Sequence, residues 1–156
     1  MAELKDRLRA DLTTAIKSRD TTTVATLRMA LSAVATEEVA GSAARELSDE
    51  EVLAVLTREA KKRREAAEAF DGAGRDALAA QERAEGEVLA GYLPAQLGDD
   101  DVARLVTEAV EDVAGQLGER PGPRQMGPVM KAATARVAGR AEGSRVAAAV
   151  RAALQR

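Results

Sequence analysis

Apolar residues recur along this chain every three or four positions and almost never alternate, which is the period of a helix and not of a strand. Leu4, Leu8, Leu12 and Ile16 define a first helix from about Ala2 to Ser18. Asp20 and the threonines at 21 to 23 offer caps for a second, with stripe Val24, Leu27, Leu31 and Val34 and an exit at Gly41. A third begins at Leu47-Ser48-Asp49-Glu50-Glu51, where Ser48 and Glu51 have the spacing of a capping box. It continues to about Phe70 and stops in Asp71-Gly72-Ala73-Gly74, and a fourth runs to about Tyr92, closed by Pro94.

Leu93 to Gly98 combines a helix breaker with a glycine just before the acidic cap Asp99-Asp100-Asp101, so we place a boundary there. Beyond it, Val102, Val106, Ala109, Val113 and Leu117 make a fifth stripe. A loop rich in Gly and Pro spans 118 to 123; Met126, Val129, Met130, Ala133 and Val137 make a sixth stripe, and Val146, Ala149, Val150, Ala153 and Leu154 a seventh. The expected fold is all-α: an N-terminal four-helix subdomain over residues 1–93 containing a long helical hairpin, and a C-terminal three-helix bundle over 98–156.

Composition narrows the chemistry. Apolar content comes mainly from Ala, Val and Leu, with Phe70 and Tyr92 the only aromatics, a vocabulary that favours helix. There is no Cys and no His, which removes thiol nucleophiles, Ser-His-Asp relays and the usual zinc ligands. We expect no metal, no cofactor and no catalysis by the chain alone. Residues 1 to 20 mix charges with apolar positions and so lack a signal or anchor segment; we expect a cytoplasmic protein with no membrane partner.

Two polar features break the helical pattern. Lys61-Lys62-Arg63-Arg64 sweeps most of a helix circumference, so one of the four must point inward. Arg63 lies at the centre of the third stripe with Glu59 one turn earlier, and Glu82 and Glu85 interrupt the fourth stripe. In an antiparallel hairpin turning near Ala73 these positions come level, predicting an ion pair of Arg63 with Glu82 or Glu85. The alternative is a polar site with two carboxylates poised for acid and base work.

The second feature is the turn Val137-Ala138-Gly139-Arg140-Ala141-Glu142-Gly143-Ser144-Arg145. Its glycines permit close backbone approach, the next helix offers free amides, and Arg136, Arg140 and Arg145 surround it with positive charge, a combination suited to phosphate. The charge distribution agrees. Residues 65–118 hold thirteen acids against three bases, while 119–156 hold eight bases against Glu119 and Glu142. Either the basic tail meets a polyanion, or the two stretches attract each other.

The blocks Leu27-Arg28-Met29-Ala30-Leu31-Ser32-Ala33, Lys61-Lys62-Arg63-Arg64-Glu65, Tyr92-Leu93-Pro94-Ala95-Gln96-Leu97, Met126-Gly127-Pro128-Val129-Met130-Lys131 and Gly139-Arg140-Ala141-Glu142-Gly143 occur in an order that resembles the GatB/YqeY family over nearly the whole chain. That family joins free-standing YqeY-like proteins to the C-terminal tail of the B subunit of the amidotransferases that convert Glu-tRNA(Gln) or Asp-tRNA(Asn) to the amide. The resemblance implies a helical N-terminal part, a three-helix tail, and tRNA contact through that tail without the amidotransferase chemistry, which resides in a domain this chain lacks. Glu142 stands where the family usually has Asp, and the loop from Gly118 to Arg124 is unusually rich in Gly and Pro.

The resulting expectation is a tRNA- or structured-RNA-binding accessory using Lys131, Arg136, Arg140, Gly143 and Arg145. Too few aromatics are present for recognition by base stacking. Two other readings stand beside it. One is a protein adaptor that docks on an amidotransferase, a synthetase or a translation factor, which requires an exposed apolar groove and an affinity largely indifferent to salt. The other is an accessory subunit of carbon-nitrogen ligation with glutamine as amide donor.

Overall fold

The computed structural model describes residues 3–156, and every regular element among them is helical. Ala2, the expected start of the first helix, lies outside the described residues. The chain divides after Leu93 into two compact units.

The first unit contains α1 (Glu3–Ser18), α2 (Thr21–Glu38), α3 (Asp49–Gly72) and α4 (Asp76–Ala90). Asp20 caps α2 by accepting from the Thr23 amide and hydroxyl. The capping box opens α3, with the Glu51 amide donating to Ser48 Oγ at 3.2 Å and the Ser48 amide to Glu51 Oε2 at 2.9 Å. Leu8, Leu27, Val34, Val52, Leu56 and Leu89 form the core, each at most 1% exposed. A fully buried Leu stabilises by about 1.5–3 kcal/mol.

α3 and α4 form an antiparallel hairpin through a tight turn in which the Arg75 amide reaches Phe70 O at 2.8 Å. Small residues line the seam: Ala67 and Ala79 are buried, and Gly86 lies beside the aliphatic stem of Arg63, where an added Cβ would make ordinary contact at 3.8 Å.

The second unit contains α5 (Asp99–Leu117), a 3₁₀ turn (Pro123–Gln125), α6 (Met126–Val137) and α7 (Gly143–Leu154). Val102, Val106, Ala109, Val113, Val129, Ala133, Val137, Val146 and Val150 meet in its core. The valines are thus helical core, as their spacing requires. Short connections make the helices run up, down and up, so the α6–α7 turn and the start of α5 share one end of the bundle. The 118–125 loop and the end of α7 share the other.

Some stripe residues leave the core. Ile16 and Leu117 are 47–48% exposed and Val24 is half-buried, contrary to the pattern. For Ile16 and Leu117 the cause is position: each sits in the last turn of its helix, where the partner helix no longer covers it. The α2 exit comes at Val39 rather than Gly41, and the 3₁₀ turn has no counterpart in the apolar pattern. No helix among the described residues is long and apolar enough to cross a membrane.

Candidate nucleic-acid interface

The α6–α7 turn is built by backbone geometry first. α6 ends at Ala138 in the left-handed region, φ 51° and ψ 48°, and its amide donates to Thr134 O; Gly139 follows at φ 77°. The reversal leaves the last α6 carbonyls without helical partners. Arg140 folds back to satisfy them, donating from Nε to Val137 O and from Nη2 to Arg136 O, both at 2.9 Å.

Arg140 also holds the start of α5. Its carbonyl accepts from the Leu97 amide at 2.7 Å, while Arg145 Nη2 donates to Leu97 O at 2.9 Å and to Asp99 Oδ1 at 2.6 Å. Leu97 is therefore held at both its donor and its acceptor by the turn.

Arg136 points across to α5. Nη1 donates to Glu108 Oε2 at 2.8 Å, and Nε and Nη2 donate to Asp112 Oδ2. The Asp112 hydrogen bond is the main reason its already high pKa rises further, with Glu108 adding to it. Glu108 and Asp112 are one helical turn apart, the spacing that lets both reach one guanidinium.

The outward presentation expected for Arg136, Arg140 and Arg145 does not hold: two are paired with carboxylates of their own unit and the third is spent on carbonyls. Exposed pairs of this kind contribute at most about 1 kcal/mol, so phosphate can compete for Arg145. Every such displacement leaves Asp99, Glu108 or Asp112 uncompensated beside the incoming anion. Gly143 begins α7 without a positive φ, and a Cβ added there meets nothing within 4 Å, so its lack of a side chain is not what admits a ligand. Of the five residues expected to bind RNA, only Lys131 is an exposed cation with no carboxylate partner among the described residues.

Unpaired positive charge gathers instead at the opposite end of the bundle. Arg120 and Arg124 flank the loop into α6, and Arg151 and Arg156 lie on and beyond the last turn of α7. All four are exposed and none has a carboxylate partner among the described residues. Arg120 Nη2 lies 3.4 Å from Ala153 O, which ties the loop to α7 and brings these groups to one pole. Glu119 is the one acid in these segments. Sequence reading counted these arginines without placing them. The signal was available in the up-down-up order, which returns the end of α7 to the loop after α5.

In the first unit, Arg63 lies in the α3–α4 seam with its side chain 15% exposed. It is 3.1 Å from Glu59, 3.6 Å from Glu82 and 3.7 Å from Glu85, and Lys62 adds a 3.0 Å contact to Glu59. Arg63 Nε and Glu82 Oε2 have no hydrogen-bond partner. The carboxylates therefore surround a guanidinium, an arrangement that suits register between the helices better than proton transfer. Among the described residues, no group of three or more Asp or Glu side chains is arranged to hold a metal ion.

Tyr92 donates its hydroxyl to Asp11 beneath the Arg7 guanidinium, which lies 4.8 Å from the ring centroid. Burial first, and the Asp11 carboxylate second, hold the phenol above its ordinary range.

Comparison with known proteins adds one positive finding. A family model described as "Yqey-like protein" matches residues 5–154. No curated protein matches the chain.

Proposed function

Since the chain belongs to the Yqey-like family, we propose that it is an accessory protein without catalysis of its own that binds tRNA or another folded RNA through its C-terminal unit. The observation that carries this reading is the pole formed by Arg120, Arg124, Arg151 and Arg156, with Lys131 further along α6. This unit has nine bases against eight acids, so it is close to neutral overall. Its polarity is local: Asp99, Asp100 and Asp101 lie at the start of α5, while Arg120, Arg124, Arg151 and Arg156 lie at the opposite end of the bundle with Glu119 as the acid among them. A polyanion approaching this pole meets several guanidinium groups that need not abandon a carboxylate.

The mode of contact follows from what the unit lacks. Both aromatic residues belong to the first unit, so no ring is available here on which a base can stack. Phosphate contacts to a structured RNA body, read by shape, are the interaction this surface supports.

Filter binding of total tRNA over a salt series tests the reading. Binding should weaken steeply with salt, each phosphate contact contributing roughly 0.7–0.9 to the slope of log affinity against log salt. The double substitution Arg120→Glu, Arg151→Glu should lower affinity at least about tenfold and flatten that slope by about two contacts. No binding at low salt would reject RNA binding. Unchanged binding by the double variant would remove this pole from it.

A further inference from the structure

The first unit carries a second surface that RNA contact does not use. α1 closes in a turn where the Asp20 amide reaches back to Ala15 O and Arg19 takes the left-handed conformation, φ 57°. α2 starts two residues later, leaving the last turn of α1 beside the first two turns of α2. Between them lies an open, largely apolar groove of about 540 Å³, lined by Ile16, Arg19, Thr21, Val24, Ala25 and Arg28.

The sequence creates this groove by giving α2 two stripes. Leu27, Ala30 and Val34 face the core. Thr21, Val24, Ala25 and Arg28 recur at i, i+3, i+4 and i+7, a second face that stays exposed apart from the half-buried Val24. Ile16, 48% exposed, completes its apolar floor.

Charge states what the groove fits. The unit is acidic overall, and Lys5, Arg7, Arg9, Arg45, Arg58, Lys61, Lys62, Arg63 and Arg83 all pair with carboxylates. Among the described residues Lys17, Arg19, Arg28 and Arg75 do not, and of these Arg19 and Arg28 line the groove. Asp20, between Arg19 and Thr21 in the chain, is committed to capping α2. Arg19 also occupies a backbone conformation in which glycine would be relaxed and a side chain costs about 1 kcal/mol or more.

From Thr21 to Arg28 the axis rises roughly 10 Å, close to the spacing of residues i and i+7 on a second helix, and Arg19, just ahead of Thr21, lines the same groove as Arg28. We propose that this groove docks an acidic amphipathic helix of a protein partner. Two aliphatic side chains at i+3 and i+4 sit on Ile16, Val24 and Ala25, and carboxylates at i and i+7 pair with Arg19 and Arg28. This is helix-in-groove recognition with a small apolar centre and a charged rim.

The test uses the full chain and two fluorescein-labelled helical peptides. One places Glu at i and i+7 around Leu-Leu at i+3 and i+4; the other replaces each Glu by Lys. Fluorescence anisotropy should report binding of the acidic peptide only, and amide shift changes should map to Ile16, Val24 and Ala25. Arg28→Glu and Ile16→Gln, both at exposed positions, should each lower affinity at least about tenfold. Arg19→Gly should weaken binding severalfold while raising the unfolding midpoint, a combination that general destabilisation cannot produce. Absence of binding at millimolar peptide, equal binding of the Lys peptide, or affinity unaffected by Arg28→Glu and Ile16→Gln would overturn the proposal. So would Arg28-dependent binding to phosphatidylglycerol vesicles without peptide binding, since the surface would then recognise lipid.

Discussion

Arginine meets helix-borne carboxylates in both halves of the molecule, and the consequences differ. In the first unit Arg63 and its partners Glu59, Glu82 and Glu85 are 9–20% exposed. In the second, Arg136 is 34% exposed and its partners Glu108 and Asp112 are 37% and 50% exposed. The groups are the same and the solvent is not. Water can replace any partner of Arg136, so that cluster is a neutralising surface. Lys62 reaches the cluster only at Glu59, so Arg63 becomes a condition for closing α3 against α4. Placement of charge, more than its amount, separates a structural arginine from one that a ligand can recruit.

The largest expected effect breaks this comparison most directly. Arg63→Ala leaves three carboxylates facing one another in the seam, and breaking a buried pair by removing one partner costs about 3–5 kcal/mol. Arg136→Ala should cost about 1 kcal/mol or less. Urea unfolding of the two variants decides the matter; equal losses would mean that the seam is as solvated as the surface.

The next test works in the opposite direction, by releasing an arginine. Glu108→Gln with Asp112→Asn removes both carboxylates from Arg136 and exposes a cation in the C-terminal unit. Total tRNA should then bind up to about tenfold more tightly at low salt, a gain that disappears as salt screens it. Glu82→Gln, which acts on the buried cluster, should leave tRNA affinity unchanged. If the released arginine has no effect, neutralisation by α5 is not what limits the α6–α7 face.

These contrasts also mark what could be read before folding. The helical periods, the capping box at Ser48 and Glu51 and the inward turn of Arg63 are local or hairpin-level facts, for which counting from one turn suffices. Arg136 could not be paired the same way. Its partners lie 24 and 28 positions earlier on α5, and their meeting depends on how α6 crosses that helix. The exposure of Ile16 was hidden for a related reason: periodicity states which face is apolar, not where the covering helix stops. Arg19 carried no signal at all, because a left-handed helix terminus is recognised in sequence by glycine.

A smaller effect concerns the turn itself. Ala138 ends α6 at φ 51°, where a Cβ costs about 1 kcal/mol or more. Ala138→Gly should therefore stabilise the protein by about 1 kcal/mol, measured by urea unfolding. Because Arg140 and Arg145 hold Leu97 from this turn, its gain should appear together with slower amide exchange at Leu97. A loss of stability would show that the left-handed geometry is not what limits the turn.

The smallest effect separates charge from shape in the capping box. Glu51 is pulled down to about 2, first by the hydrogen bond from Arg45 and then by the Ser48 amide. A carboxylate whose folded pKa lies below its unfolded value stabilises the fold above the unfolded value, and that contribution fades as pH falls toward the folded one. For Glu51 the window runs from its ordinary 4.5 down to about 2. Glu51→Gln keeps one oxygen that can accept from the Ser48 amide and loses the charge together with the second oxygen that accepts from Arg45. Wild type should therefore be more stable than Glu51→Gln at pH 6, with the difference closing progressively between about pH 4.5 and pH 2. Thermal unfolding of both proteins across that range reads the difference. A gap that stays constant with pH would assign the effect to side-chain shape, and the pairing with Arg45 would then resemble the replaceable pairs of the second unit.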